Sequence, residues 1–466
     1  MLISQIQDIY DQYHDILRSD KLTKVNKRYF QRVWTGEDPE TGKFASVTDY
    51  KKSLKNLTLF LRMVYGKRTV LLIDEYDVPL EKACQGGYSS EMADVIGGML
   101  QSVLKTNSEN LQFAVVTGCL RISGESIFER LNSHAFNTVL SYGENDVIGF
   151  TWDEVQELLE ENGLAGREAD VRDWYEGYHF GETVIYNPWS VIKFIENAKA
   201  GDPTEPRTHW GSTSSNDILR DLAAEGSRAV KDRVEQLMRG ETIQFDFTEY
   251  MACSEISCRD EGIFNLLLNT GYLTATSFDG KVVRAKIPNK EVKTLFEDQI
   301  KAWFDRHVRQ SFDVEGLYQA IREGDADGIQ AMLKNELLST ISCHDTQEVF
   351  CHEMLFSLMA SNQDYEVTGN RESGASRFIM ESRLRYDRDN AIALEVAVAS
   401  SLAEMEILAG ETAGQMEQRK TVMDLLREGY RKIYTYGIAF FGKSCRVCAG
   451  PVCRQSDMDR LLTQKP

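Results

Sequence analysis

The stretch VLLIDEYDVPL, residues 70–80, decides the fold of the N-terminal part of this chain. Four apolar residues are followed by Asp74, Glu75 and, after one tyrosine, Asp77. An apolar run that ends in acids is typical of a parallel strand that is buried on both faces and presents polar groups at its carboxyl end. In nucleotide hydrolases, acids at such a position bind magnesium and orient water beside a phosphate-binding loop. The stretch therefore predicts a metal-binding edge, and a phosphate loop should accompany it.

The segments after this strand predict a parallel α/β sheet. SSEMADVIGGMLQSVLKTN has the periodicity of a helix, and LQFAVVTGCLRI is a second apolar strand that ends at Thr117 and Gly118. The order strand, helix, strand favours two parallel neighbours in one sheet. The polar groups at the ends of both strands should then lie at the same edge.

The rest of the chain divides into two further regions. Thr151 and Glu154 form a capping-box pattern that begins a helix, and helical segments alternate with loops as far as residue 305. Residues 306–466 follow the order helix, three strands, helix and strand, which predicts a small mixed α/β domain. We therefore expect three domains, which are 1–150, 151–305 and 306–466.

Net charge, hydropathy and cysteine content indicate which partners and which cellular location to expect for the chain. Its 466 residues carry 53 Lys and Arg against 72 Asp and Glu, a net charge of −19. This charge disfavours a broad nucleic-acid or anionic-membrane surface, although it leaves a local basic cleft open. The N-terminus MLISQIQDIYDQYHDIL lacks the features of a signal peptide, and no apolar run approaches the roughly 18 residues of a membrane helix. With nine scattered cysteines that favour reduced thiols, we expect a cytoplasmic protein without membrane association.

A phosphate-binding loop is not evident beside the acidic strand. The nearest candidate is GEDPETGKF, which contains Gly36, Gly42 and Lys43. It has one residue too many between the glycines, and Phe44 stands where a serine or threonine should bind the metal. It also follows no predicted strand and begins no predicted helix. We therefore interpret this segment as a polar turn.

Several segments together carry a family resemblance. LLIDEYDVPL, AVVTGCLRISGESIF, WYEGYHFGETVIYNPWSV, TSSND, GYLT, IPNKEV and YGIAFFGK resemble, in this order, bacterial proteins that join an AAA-ATPase-like domain to a C-terminal PD-(D/E)XK nuclease-like domain. The resemblance implies an α/β protein. Its partial P-loop ATPase-like parallel sheet would be followed by a helical lid domain and then by a restriction-endonuclease-like mixed α/β domain. Family members carry a phosphate loop upstream of the acidic strand, so the resemblance implies an N-terminally shortened relative.

The resemblance also assigns roles near the acidic strand. Asp74 matches the magnesium-binding acid, Glu75 the acid that polarises water, and Thr117 the polar sensor on the neighbouring strand. Arg121 matches a phosphate-sensing arginine, with a surface salt bridge as the alternative. ATP and Mg²⁺ would be the cofactors of an active site of this kind. Without the loop, we expect this chain alone to bind neither.

The nuclease-like domain has lost part of its expected site. Nucleases of this type hold magnesium between two acids and orient water with a lysine. Glu395 matches one acid and would be a vestigial metal ligand, but Ile379 occupies the position of the other acid and Ala397 that of the lysine. Glu381 could replace the missing acid, because residues 379 and 381 face the same side of a strand. Arg383 cannot replace the lysine in proton transfer, because its guanidinium stays charged.

Four further residues match positions of the nuclease-like cleft. Glu348 and His352 precede the three strands, Glu372 lies in NRESG, and Gln415 lies on the later helix. Each of them could contact phosphate. The resemblance thus implies a cleft that retains some polar groups after its central metal site is lost.

Losses at two separate sites predict a catalytically degenerate protein. Such a protein would bind or regulate a protein partner, for example a full-length paralogue. The alternative is an ATP-dependent or Mg-dependent nuclease that is completed by an upstream segment, a partner chain or the migrated acid at Glu381. A third hypothesis, nucleic-acid binding without cleavage, is disfavoured by the net charge.

Overall fold

The computed structural model describes most of the chain, namely residues 2–120, 136–201, 205–210, 219, 227–249, 260–339, 347–371, 377–416 and 420–457. The chain forms two compact units. The first consists of Met1–Ile148, Tyr178–Val184 and Gln244–Ala285. The second consists of Gly149–Gly177, Ile185–Ile243 and Lys286–Pro466. The division into three domains stays a prediction.

The first part of the chain is helical around two short strands. Its elements are α1 (Leu2–Gln12), a 3₁₀ turn (His14–Arg18), α2 (Lys24–Thr35), α3 (Val47–Lys51), α4 (Ser53–Tyr65), β1 (Thr69–Ile73), α5 (Val78–Gly86), α6 (Ser89–Lys105) and β2 (Leu111–Val116). Helices α1, α2 and α4 pack around an aromatic cluster in which the rings of Tyr10 and Phe30 lie 4.6 Å apart. This cluster anchors the layer of helices that supports the strands.

Strands β1 and β2 form a parallel pair, which confirms the prediction from the order strand, helix, strand. Val70 pairs with Phe113 and Leu72 with Val115. The expectation that β1 is buried on both faces is wrong, because Leu72 is 71% exposed. Alternate residues of a strand face opposite sides, and the helical layer that packs on Ile73 covers only one of them.

The middle of the chain contains short helices and small antiparallel sheets. Its elements are α7 (Trp152–Glu161), α8 (Glu168–Tyr175), β3 (Tyr178–Phe180), β4 (Thr183–Ile185), α9 (Pro188–Lys199), α10 (Arg228–Met238), β5 (Ile243–Asp246), α11 (Asp260–Asn269), β6 (Thr274–Phe278) and β7 (Val282–Lys286). The capping box at the start of α7 is confirmed, since Thr151 and Glu154 each accept a hydrogen bond from the other's backbone N–H. The predicted helix therefore begins where its sequence pattern indicates.

The last part of the chain is a mixed α/β region. Its elements are α12 (Lys290–Ser311), α13 (Val314–Glu323), α14 (Ala326–Ser339), α15 (Gln347–Ala360), β8 (Tyr365–Arg371), β9 (Arg377–Leu384), β10 (Asn390–Val398), α16 (Leu402–Gln415), α17 (Lys420–Arg427), β11 (Lys432–Phe441), β12 (Ser444–Ala449), β13 (Cys453–Arg454) and a 3₁₀ turn (Gln455–Asp457). The predicted order from α15 to β11 is confirmed except that two helices, α16 and α17, stand where one was predicted, and β12 and β13 extend it. The sheet has the order β12-β11-β10-β9-β8, with β13 also paired to β11. Only β10 and β11 are parallel among these neighbours.

Helices cover both faces of this six-stranded sheet. Helices α13, α14 and α15 pack on the face that contains Leu394 and Val396. Helices α16 and α17 pack on the opposite face, which is lined by small residues such as Ala393. Gly437 permits the close approach of α16, because a Cβ at this position would lie 2.3 Å from Thr412 Oγ1. The central strands are consequently buried on both sides, as predicted for β10.

Glu291 is a buried carboxylate that joins three segments of the second unit. It lies in the first turn of α12 and is 0% exposed. Its oxygens accept hydrogen bonds from His209 N (2.7 Å), Trp210 N (3.0 Å) and Ser190 Oγ (2.7 Å). Burial raises the pKa of Glu291, and these three donors oppose that shift. The IPNKEV segment, which belongs to the family resemblance, therefore supplies a structural contact.

The helices and the cysteines bear on the environment of the protein. Among the described helices, none combines the length and the apolar character that a membrane span requires. Cys84 is disulfide-bonded, so the expectation that the cysteines are reduced is wrong at this position. Five other cysteines in the described part of the chain are free thiols: Cys119, Cys351, Cys445, Cys448 and Cys453. The cytoplasmic location stays a prediction.

We predict that Glu291→Ala lowers the free energy of unfolding by about 3 kcal/mol or more, because each buried donor left without an acceptor costs about 1–3 kcal/mol. Denaturant unfolding of the full chain measures the effect. Asp298→Ala is the matched control, since Asp298 is an exposed carboxylate on the same helix and should change the stability by less than about 0.5 kcal/mol. Equal effects of the two substitutions would contradict a structural role for Glu291.

Candidate functional site

The parallel pairing of β1 and β2 brings two predicted site residues into contact. Asp74 follows β1 directly and Thr117 follows β2 directly. The Thr117 hydroxyl donates a hydrogen bond to Asp74 Oδ1. The backbone continues the ladder, since Thr117 N donates to Ile73 O at 2.8 Å. Asp74 is exposed, so its second carboxylate oxygen lies at a solvent-accessible edge where a cation could bind.

Glu75 is held in an unusual backbone conformation. Its φ angle is 51°, in the left-handed region that non-glycine residues seldom adopt. Its N–H donates to Thr117 Oγ1 at 3.3 Å. The side chain is exposed beside Asp74. For a non-glycine residue this conformation costs on the order of 1 kcal/mol, and such strain is concentrated at functional sites.

Asp77 braces the loop that follows β2. Its carboxylate is 5% exposed and accepts hydrogen bonds from Cys119 N (2.9 Å) and Leu120 N (2.7 Å). The Tyr76 hydroxyl donates to Leu120 O at 2.7 Å. Gly118 fits between these side chains, because a Cβ there would lie 2.6 Å from the Tyr76 ring. Sequence reasoning did not assign this role to Asp77, although its position in the acidic stretch was the available signal.

The edge formed by these residues is electrostatically negative. Desolvation raises the pKa of the Cys119 thiol to about 11, and the carboxylates of Asp77, Glu75, Glu81 and Asp74 add to this shift. A thiol surrounded by acids in this way stays protonated near neutral pH. The same field would attract a divalent cation or a basic group of a partner.

The segment GEDPETGKF is a structural turn, which confirms its interpretation as a polar turn. Gly36 ends α2 with a φ angle of 84°. Asp38 is 3% exposed, and its carboxylate accepts from Glu40 N (3.0 Å) and Thr41 N (3.1 Å) and pairs with Arg28. These two backbone N–H groups are thus hydrogen-bonded to a carboxylate of the chain. They are not arranged to hold a phosphate.

Other expected elements of an ATP site are not found in the described part of the first unit. Arg121 lies outside the described residues. Among the His, Cys, Asp and Glu side chains that the structure describes, no group of three is arranged to hold a metal ion. In the described residues, the polar edge therefore consists of Asp74, Glu75 and Thr117.

In the second unit, Glu395 lies at the centre of the six-stranded sheet. It is 1% exposed, directly opposite Ile379 of β9 and Gly437 of β11. Ala397 follows two residues later on the same face. The position where a second acid is expected thus holds an apolar side chain within a few ångströms of the carboxylate. Glu395, Ile379 and Ala397 therefore share one face of the sheet, and the roles that the resemblance assigns to these positions stay a prediction.

Glu381 interacts mainly with the positively charged side chain of Arg383. It lies on the same sheet face as Glu395, opposite Ala393. Arg383 forms an ion pair with Glu381, contacts Glu428 (3.2 Å) and donates to Thr368 Oγ1 (3.0 Å). Burial raises the pKa of Glu381, and the Arg383 guanidinium opposes this shift. The guanidinium therefore provides the countercharge of Glu381.

Of the remaining cleft residues, the structure places His352 away from Glu395. His352 lies on α15, and its ring contacts Phe378 at 4.6 Å. Phe378 pairs with Val396, so His352 packs on the sheet face opposite Glu395. Glu348 also belongs to α15, while Gln415 ends α16 and is exposed. The position of the fourth cleft residue, Glu372, lies outside the described residues.

Comparison with known proteins supports part of the resemblance. Residues 4–128 match the family model AAA-ATPase_like, described as predicted AAA-ATPase. These residues therefore resemble predicted AAA-ATPases. An uncharacterized protein in the vnfD 5' region of Azotobacter chroococcum mcd 1 is 26% identical over 285 residues, which cover 57% of this chain and 49% of that protein. The chain thus spans about half the length of this relative. No solved structure matches.

We predict that Asp77→Ala lowers the free energy of unfolding by about 2 kcal/mol or more, because two backbone donors lose their acceptor. Asp74→Ala should cost less than about 1 kcal/mol, since Asp74 is exposed and accepts one side-chain hydrogen bond. Denaturant unfolding of both variants separates the structural acid from the exposed acid. A larger loss in Asp74→Ala than in Asp77→Ala would reverse this assignment.

Proposed function

We propose that this protein is a catalytically degenerate relative of AAA-ATPase-like and PD-(D/E)XK nuclease-like proteins and acts by binding or regulating a protein partner. The observation that carries the proposal is the incomplete character of both sites. In the described residues, the first unit has an acidic edge but no phosphate-binding loop. In the second, Ile379 lies opposite Glu395 and Ala397 follows it, at the positions where the resemblance expects the second acid and the lysine. The protein partner, such as a full-length paralogue, and a cytoplasmic location belong to the same proposal.

The first unit supports this proposal through its charge. ATP-hydrolysing sites combine acids that bind magnesium with backbone amides and a lysine that bind the phosphates. Asp74 and Glu75 can supply only the first part. Without neutralising groups, their negative edge repels a polyphosphate. Nucleotide binding by this unit alone would therefore be weak, and neither ATP nor Mg²⁺ is expected as a resident cofactor.

The second unit supports the proposal through the pairing of its acids. Two carboxylates that share a metal ion lie close together and repel each other when the ion is absent. Here Ile379 removes that repulsion beside Glu395, and Arg383 neutralises Glu381. The sheet can therefore hold its carboxylates without a cation. This arrangement favours a folded domain that does not cleave nucleic acid.

A second candidate function is an ATP-dependent or Mg-dependent nuclease that another segment or chain completes. The observation in its favour is the contact between Thr117 and Asp74 beside the strained Glu75, because a coupled acidic edge of this kind suits metal and water binding. A partner would have to bring both the phosphate loop and a basic side chain. Nucleic-acid binding without cleavage is less favoured because of the net charge of −19.

Calorimetric titration with ATP and Mg²⁺ tests the first unit. We expect no saturable binding of ATP by the wild-type chain and no phosphate release above that of Glu75→Gln. The reason is that the sequence offers no glycine-rich loop and lysine to bind the phosphates. Asp74→Ala serves as the control for metal binding at the edge. Phosphate release by the wild type that Glu75→Gln abolishes would reject the degenerate function and favour the second candidate.

Restoring an acid tests the nuclease-like assignment. We expect Ile379→Asp to bind Mn²⁺, because directly opposite residues of paired antiparallel strands have Cβ atoms about 5 Å apart, close enough for two carboxylates to share an ion. Calorimetry should detect this binding, and Mn²⁺ should raise the melting temperature of the variant. Ile379→Asn is the matched neutral control and should not respond. If Ile379→Asp folds but responds no more than Ile379→Asn, Glu395 does not belong to a former metal site.

A further inference from the structure

The parallel strands of the first unit present an apolar face to solvent. Its members are Val70 (44% exposed), Leu72 (71%), Phe113 (54%) and Val115 (47%). Val70 pairs with Phe113 and Leu72 with Val115, so the four side chains form a two-by-two block. We call this block the bare sheet face. The opposite face packs on helices through residues such as Ile73.

A bare face is unusual for parallel strands. Parallel sheets occur almost only where helices cover both faces, and a pair of strands by itself is marginally stable in water. Within the described residues, β1 and β2 pair only with each other. The side chains of this face are therefore apolar, as in a buried layer, but they are exposed to solvent. A covering element would remove them from water and gain hydrophobic free energy.

The charge next to the bare sheet face restricts what could cover it. Asp74 and Glu75 are exposed at the carboxyl end of β1, and Glu81 follows on α5. An acidic covering segment would be repelled by these carboxylates, whereas a basic one would be attracted. The complementary partner therefore combines an apolar stripe with lysine or arginine side chains.

The spacing of the face fits a helix. Residues i and i+2 of a strand lie about 6.6 Å apart, and paired strands lie about 4.8 Å apart. Side chains at positions i and i+4 of a helix are about 6 Å apart along its axis, so they can pack between the members of the block. A second copy of this chain is a weaker fit, because a stable dimer interface needs roughly 20–30 residues a side and this face offers four.

We propose that the bare sheet face docks an amphipathic basic helix from another polypeptide, with its apolar stripe on the face and its basic side chains toward Asp74 and Glu75. The interaction does not require a nucleotide. Failure of this proposal would therefore leave the proposed function to be judged by its own experiments. The docking proposal rests on the proposed function and assigns its partner binding to a defined surface of the first unit.

The test uses the full chain and two synthetic helical peptides. One peptide carries leucine on one stripe and lysine elsewhere, and the other carries glutamate in place of lysine. Fluorescence anisotropy of the labelled peptides measures binding at low and at moderate salt. We expect saturable binding of the lysine peptide and none of the glutamate peptide. Equal binding of both, or of neither, would overturn the proposal.

Variants locate the binding surface. Leu72→Gln combined with Val115→Thr removes apolar surface without changing the charge, and it should weaken binding of the lysine peptide by about tenfold or more. Val25→Gln is the matched control, because Val25 is an apolar residue of the same unit that is 75% exposed. It should bind as the wild type does. Melting temperatures of both variants should equal that of the wild type, since all the substituted side chains are substantially exposed.

Three outcomes would overturn the proposal. The double variant could retain wild-type affinity, which would show that binding to this acidic protein is non-specific. Val25→Gln could lose affinity equally, which would place the peptide elsewhere. Sedimentation could show a wild-type dimer that the double variant abolishes, which would make a second copy of the chain the occupant.

Discussion

The parallel register of β1 and β2 is the constraint on which the acidic edge depends. Because parallel strands end on the same side, the residues that follow them meet, and the Thr117 hydroxyl reaches the Asp74 carboxylate. An antiparallel pair would place these residues at opposite ends. Asp77 then fixes the following loop through two backbone N–H groups, so that one acidic stretch supplies both an exposed acid and a structural acid.

Local sequence patterns predicted the type and order of the elements better than they predicted what packs against each element. The apolar run of β1, the capping box at Thr151 and the order of elements from α15 to β11 are encoded by neighbouring residues, and the structure confirms them. The exposure of Leu72 could not be predicted in this way. An apolar strand indicates that it belongs in a sheet interior, but it does not indicate whether a covering layer is present. The bracing role of Asp77 depends likewise on a loop more than forty residues away.

The carboxylates of the two sheets have different electrostatic surroundings. In the second unit Glu395 lies opposite an isoleucine rather than a second acid, and the charge of Glu381 is balanced by an arginine of the same strand. In the first unit, no basic side chain of the described residues forms an ion pair with Asp74, Glu75 or Glu81, and these acids add to the desolvation that raises the pKa of the nearby Cys119 thiol. The exposed acids of the first unit therefore form a negatively charged edge, whereas Glu381 in the second unit has its countercharge within the chain.

Backbone strain distinguishes the acids of the first unit further. Asp77 is explained by stability, because its removal would leave two backbone donors without an acceptor. Glu75 is not explained in this way, since its side chain is exposed and its left-handed backbone costs on the order of 1 kcal/mol that glycine would avoid. The stability of the chain therefore accounts for Asp77 and does not account for the backbone conformation of Glu75. The exposed apolar side chains of the bare sheet face likewise cost free energy, which a covering element would recover.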